Sequence, residues 1–133
     1  ADTCVLDLYM KDTSSGASHN SIGTNTNQFG EFEVNGFQSI VAITLDDLSE
    51  VKGILLPNHV KLDVDGRELE ILKGSSKLLL TIETILVEIE GSNRGENLED
   101  IENLLSNAGL IEDTDWRDKG SGRNRLYKRD RNL

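Results

Sequence analysis

Five carboxylates crowd two short stretches of this sequence. Asp63, Asp65 and Glu68 fall within six positions, and Glu88 and Glu90 follow further along. The first group closes an alternating run, Asn58 to Val64 (NHVKLDV), where Val60, Leu62 and Val64 interleave with His59, Lys61 and Asp63. A period of two is the pattern of a strand. Glu88 and Glu90 close a second apolar run, Thr84 to Ile89 (TILVEI). If the two strands lie side by side and run the same way, their acids share one rim. Ligands of open α/β sheets gather at that end of the strands. Carboxylates brought together raise one another's pKa or recruit a cation, and either outcome prepares a site for acid–base work. The competing reading is that these acids cap helices and face water.

The rest of the chain must position that rim. Thr3 to Met10 (TCVLDLYM) and Phe37 to Leu45 (FQSIVAITL) read as strands. Between them, Lys11 to Gly36 is rich in Ser, Asn, Thr and Gly and reads as a loop. His19 lies in its polar stretch Gly16 to Ser21, which can form part of an acceptor-binding loop or a plain surface loop. Asp46-Asp47-Leu48 looks like a cap leading into a short helical turn that Gly53 ends. Gly66 permits a turn, after which Arg67 to Leu80 reads as one helix. Leu69, Leu72, Ser76 and Leu79 fall on its inner face, and Gly74 weakens its middle. Asn97 can cap the next helix, which buries Leu98, Ile101, Leu104 and Leu105 and stops near Gly109. Leu110 to Trp116 and Asn124 to Arg129 are expected as final strands. Helices alternating with strands define an α/β sheet, and a right-handed crossover makes 58–64 and 84–89 parallel neighbours. One domain over 1–133, without a linker, is expected.

Composition narrows the function. The formal net charge is −10, yet Arg117 to Leu133 holds seven basic residues and two acidic ones. An acidic body argues against nucleic acid as a partner, since phosphate contacts need a continuous basic surface. The basic tail is either a solvated terminal strand or a contact for a phosphate or acidic partner. No apolar run approaches the ~20 residues that cross a bilayer, and no secretory signal opens the chain, so no membrane association and a cytoplasmic location are expected. Cys4 is the single cysteine, which excludes an internal disulfide and a thiolate zinc site. A calcium loop fails on spacing: with Gly66 at its sixth position, the first and twelfth ligands would be Lys61 and Leu72. No metal ligand set is expected, and His59 reads as structural.

The blocks KLDVDGRE (Lys61 to Glu68), LEILKGSSKLL and ILVEIEG resemble those of FkbM-type methyltransferases, with the Thr44-Leu45-Asp46-Asp47-Leu48 segment upstream and Ala108-Gly109-Leu110 downstream. The resemblance spans about Ala42 to Lys128. Asp65 stands where the family usually has glutamate, and Ser75 where it has alanine. It implies part of a Rossmann-like methyltransferase sheet, mixed, with mainly parallel central strands and flanking helices. It also implies transfer of a methyl group from S-adenosylmethionine to a hydroxyl of a sugar or small metabolite. Asp63, Glu68 and Glu88 become candidate catalytic residues, with Asp65, Gly66 and His19 candidates for holding the acceptor.

The family holds its cofactor on a glycine-rich turn after a first strand. Gly23, Gly30 and Gly36 are too widely spaced to form one. No cofactor-binding residue is therefore assigned, and the chain reads as a carboxyl-terminal portion that does not bind S-adenosylmethionine tightly alone. Half of a split enzyme and a small acidic interaction module are the other readings. In the family the 58–64 strand is central, so an uncovered edge is expected here, closed by a second copy, by a partner chain or by the chain's own Thr3 to Met10 strand.

Overall fold

The computed structural model describes residues 2–27, 29–64, 66–89, 94–120 and 122–131, with backbone only for 94–97. These residues fall into two compact units, 2–43 and 44–131.

The first unit is built on a long antiparallel pair. Strand β1 (Cys4–Met10) runs against β5 (Gly36–Ala42) in register from Cys4↔Ala42 to Met10↔Gly36. The stretch expected as loop carries short strands. β2 (Ser21–Ile22) pairs with β1, while β3 (Thr26–Asn27) and β4 (Gly30–Glu31) form a small hairpin. Side chains close these turns: Asn25 Nδ2 donates to Glu31 Oε1 at 3.0 Å, and Asn35 Nδ2 to the Lys11 carbonyl at 2.8 Å. β1 lies between β2 and β5 in this three-stranded sheet.

The second unit holds the core. Helix α1 (Leu45–Ser49) starts at Thr44, whose hydroxyl accepts the Asp47 amide, and it stops before Gly53. Strand β6 (His59–Leu62) leads into α2 (Glu68–Lys73) and α3 (Ser76–Leu79), followed by β7 (Thr84–Glu88). Helix α4 (Arg94–Asn107) precedes β8 (Leu110–Glu112), α5 (Thr114–Lys119) and β9 (Asn124–Arg129). The strand order is β6-β7-β9-β8. β6 and β7 are parallel, whereas β9 runs against both β7 and β8. Three strands thus point one way and β9 alone is reversed. The central pair β7–β9 is antiparallel, where mainly parallel central strands were expected.

Three other expectations need correction. The helix expected over 67–80 is two short helices, because the Ser75 hydroxyl bonds back to the Ile71 carbonyl at 2.6 Å and Asp46 caps a fresh start at Ser76. Ser76 is therefore exposed, and Leu78 joins Leu72 and Leu79 in the core. Residues 114–119 are helical, since the Asp113 side chain accepts the Trp116 amide at 3.1 Å as an N-cap. Helix α4 begins at Arg94, which puts Asn97 inside it.

Alternation sorts the sheet into faces. Ile85 and Val87 on β7 pack with Leu62, Leu110 and Tyr127 and with Leu72, Leu79, Ile101 and Leu105 of the helices. Thr84, Leu86 and Glu88 turn to the opposite, half-buried face. Gly109 takes φ +76 where α4 gives way to β8, a conformation that favours glycine.

The basic carboxyl-terminal segment is largely engaged within the unit. Arg125 bonds Glu102 at 2.9 Å, Arg117 bonds Glu112 at 2.7 Å, and Lys128 meets Asp113 at 2.6 Å. Arg129 donates to the carbonyls of Leu79, Ile82 and Ala108, tying the ends of α3 and α4 to β9. Among the described residues no helix is long and apolar enough to cross a membrane.

Candidate active site

Strands β6 and β7 pair His59↔Thr84, Lys61↔Leu86 and Leu62↔Val87. Residues in register on parallel strands point to the same side, so Asp63 follows in line with Glu88. The His59 ring nitrogen Nδ1 lies 2.9 Å from Thr84 Oγ1 on that same face, which fixes the register and gives His59 a structural partner. Across the next strand, Glu88 is opposite Asn124 of β9. A polar row of Asp63, Glu88 and Asn124 thus crosses the carboxyl ends of β6 and β7.

Asp63 and Glu88 hydrogen-bond each other, and they respond in opposite directions. The hydrogen bond from Lys61, then that from Glu88, hold Asp63 below its ordinary range. The hydrogen bond to Asp63, then burial and the Asp63 charge, push Glu88 up, with Arg123 and Lys61 pulling the other way. Of the two, Glu88 is the acid whose protonated form the pairing favours, and Asp63 the one whose ionised form it favours. Lys61 Nζ sits 2.6 Å from Asp63 Oδ2, two residues away on the same strand face. A carboxylate so stabilised is a weaker base than a free aspartate, so it is better suited to orienting a hydroxyl than to deprotonating it outright.

Glu68 has a different environment. It is the first residue of α2 and is buried, and its Oε1 accepts the amides of Val64 and Gly66, both at 3.3 Å. Gly66 adopts φ +98, a conformation costly for other residues, which lets its amide turn toward that carboxylate. Glu68 thereby fixes the chain immediately after Asp63. Asp65 and Glu90 lie outside the described residues.

His19 belongs to the 2–43 unit. Its φ is +66, its Nδ1 lies 2.9 Å from Ser18 Oγ, and its ring meets Phe29 edge-on with centroids 5.0 Å apart. It borders an open cleft that also takes in Lys11, Asp12, Ser14 and Asn35.

The acids singled out in the sequence omit two neighbours of the pair. Arg123 acts on Glu88 through its charge, and Asn124 faces Glu88 in register. Both enter through the antiparallel pairing of β9, for which sequence offers no spacing signal. Among the described residues no three metal-ligating side chains converge.

In the strand-to-helix turn after β6, the amides of Val64 and Gly66 are engaged by Glu68.

This chain belongs to the FkbM methyltransferase family, whose domain matches residues 2–111 and so includes the amino-terminal unit as well as the carboxylate rim. It is similar to the hexuronic acid methyltransferase AglP of Haloferax volcanii, with 40% identity over 75 residues. That match covers 56% of this chain and 30% of the relative, so the chain spans about a third of the length of the curated relative it matches. No solved structure matches it.

Proposed function

We propose that this chain supplies the acceptor side of an S-adenosylmethionine-dependent O-methyltransferase acting on a hydroxyl of a sugar or small metabolite. The observation that carries this reading is the Asp63–Glu88 pair, two interacting carboxylates at the carboxyl ends of two parallel strands. Ionised Asp63 accepts a hydrogen bond from the acceptor hydroxyl, Glu88 keeps Asp63 in place, and Glu68 holds the turn behind it. Three like-directed strands with one reversed fit part of a Rossmann-like methyltransferase sheet. The engaged amides of the turn support a cofactor held by other parts of such an enzyme, with this chain inactive alone. The named substrate of the similar protein makes a hexuronic acid the first acceptor to try.

Two titrations test the proposal. Calorimetry with S-adenosylmethionine should show no micromolar binding by this chain, and such binding would overturn the assignment of the cofactor elsewhere. A hexuronate followed by amide NMR should shift residues 61–64, 86–88 and 123–125. Shifts confined to other residues would remove the acceptor role from the pair.

A further inference from the structure

Within the 2–43 unit, the polar segment between β1 and β2 forms, together with Asn35, an open cleft of about 850 Å³. That volume lies in the ~300–1,000 Å³ range of small-molecule sites. The segment is braced along its length. Asn20 Oδ1 accepts the Lys11 amide at 3.2 Å, and Asn35 Nδ2 donates to the Lys11 carbonyl at 2.8 Å, so one end is tied on both sides. In the middle, the Ala17 amide donates to the Ser14 carbonyl at 3.1 Å across a turn in which Gly16 takes φ +81. At the far end, Asn27 Nδ2 donates to the His19 carbonyl at 2.7 Å. A cleft formed in advance binds without the entropic cost of ordering its loop.

His19 is held in an unusual conformation at this cleft. Its φ of +66 is uncommon for a residue with a side chain. Strained residues persist where their neighbours over-determine them, and they cluster at ligand clamps. Three contacts fix this one: the Asn27 amide on its carbonyl, Ser18 Oγ beside its Nδ1, and the Phe29 ring. Phe29 is itself 71% exposed, so an aromatic pair stands in water beside the cleft. The rest of the lining is almost wholly polar, and among the described residues no protein group bonds the hydroxyls of Thr13 and Ser15. The Ser14 amide, then the Ser14 hydroxyl, hold Asp12 below its ordinary range, so its ionised charge offsets that of Lys11 in the same lining. Offset charges give no preference for a phosphate, and a lining with so little apolar surface gives none for an acyl chain. A sugar ring fits both features. Side-chain hydroxyls and amides match its hydroxyl groups, and an aromatic face takes its C–H face.

We propose that this cleft is a carbohydrate subsite that takes an uncharged pyranose unit, with His19 against the ring and Thr13 and Ser15 on its hydroxyls. The proposal rests on the reading of the acceptor as a sugar, and it adds to the acid pair a second contact of different specificity.

The test is amide NMR of the full chain titrated with the methyl glycosides of glucose, mannose and galactose, each to about 50 mM, a range that reaches millimolar Kd values. At least one glycoside should shift the amides of residues 11–19 and 35. His19→Asn removes the ring while keeping a residue that tolerates positive φ, and should weaken that binding about fivefold or more. Ser15→Ala, at an exposed position, should weaken it about threefold, and circular dichroism verifies that both variants fold. Three glycosides that leave residues 11–19 and 35 unmoved would overturn the proposal. So would variants that bind like wild type, or a stronger response of the same amides to glucuronate or inorganic phosphate, which would make the cleft an anion site. The acid-pair reading is scored at other amides, those of residues 61–64, 86–88 and 123–125 with a hexuronate, so either assignment can fail alone.

Discussion

Asp46 offers the sharpest test of how this fold is held. Its carboxylate accepts the Ser76 hydroxyl at 2.8 Å and the amides of Lys77 and Leu78 at 3.0 Å, so from thirty residues away it supplies the side-chain cap that Ser75, at the N-cap position of α3, does not make. Its own amide donates to the Gly74 carbonyl at 3.0 Å. Replacing it by alanine strips the cap, a loss of about 0.5–2 kcal/mol. Lys77 is exposed and water can reach its amide, but Leu78 is buried, and stranding its N–H adds about 1 kcal/mol. Asp46→Ala should therefore cost about 2.5 kcal/mol. At about 2.1 cal/mol/K per residue, 133 residues give an unfolding entropy near 0.28 kcal/mol/K, hence a fall in Tm of about 9 °C. The fall is larger if residues 44–131 melt alone.

The charge of Asp46 separates this cap from generic packing. Partial burial pushes its pKa up, but the Lys77 and Leu78 amides, the Ser76 hydroxyl and the Lys77 charge outweigh it, so the value lies below the ordinary 3.8. A folded pKa below the unfolded one adds stability that is present above the unfolded value and lost as pH falls through the folded one. The gap between wild type and Asp46→Asn, measured by urea denaturation, should therefore be full at pH 7 and shrink below about pH 4. An alanine variant melting within about 2 °C of wild type would refute the cap. A gap unchanged at low pH would refute its charge dependence.

Other consequences follow from the same contacts. In carboxyl NMR titrations Glu88 should titrate above and Asp63 below their ordinary values, and Asp63→Asn should bring Glu88 down. The two linkages oppose each other. Stability from Glu88 is present below its unfolded pKa and lost as pH rises through its folded one, while that from Asp63 is lost as pH falls through its own. Glu68→Ala should cost about 2 kcal/mol by removing the two hydrogen bonds from the Val64 and Gly66 amides to its carboxylate, with amide shifts centred on residues 63–68. A Cβ at Gly66 meets nothing within 4 Å, so Gly66→Ala should cost only the backbone strain of φ +98, about 1–2 kcal/mol by denaturation. Arg129→Met should lower stability by about 3 kcal/mol, because the carbonyls of Leu79, Ile82 and Ala108 lose one shared donor.

What the sequence shows clearly is what local periodicity encodes. Strand β9, the parallel β6–β7 pair and the buried face of α4 follow from apolar spacing that needs no distant partner. The break between α2 and α3 is invisible to that reasoning because its cause, Asp46, sits on another element. The strand expected to reach Trp116 ends early because one Asp113 oxygen captures an amide, a competition that propensity cannot weigh. Two-residue strands such as β2 and β3 are too short to show a period at all. The carboxylate rim was legible as a set of acids. Its members from β9 were not, since an antiparallel register leaves no mark on composition.

An acid-rich motif invites a catalytic reading of every acid in it, and the hydrogen bonds divide them. Asp46 is occupied by a helix start and Glu68 by the turn after β6. A carboxylate engaged by backbone amides cannot also take a proton from a ligand without releasing the fold it holds. Asp63 and Glu88 differ: their partners are side chains, Lys61 and each other, at a half-exposed strand end. Side-chain partners can be exchanged for a ligand at small conformational cost, because no element of backbone depends on them. We therefore propose that the chemistry of this motif falls on the two acids whose contacts the scaffold can spare, and a ligand that leaves the titration of Asp63 and Glu88 undisturbed would remove the reason for assigning it to them.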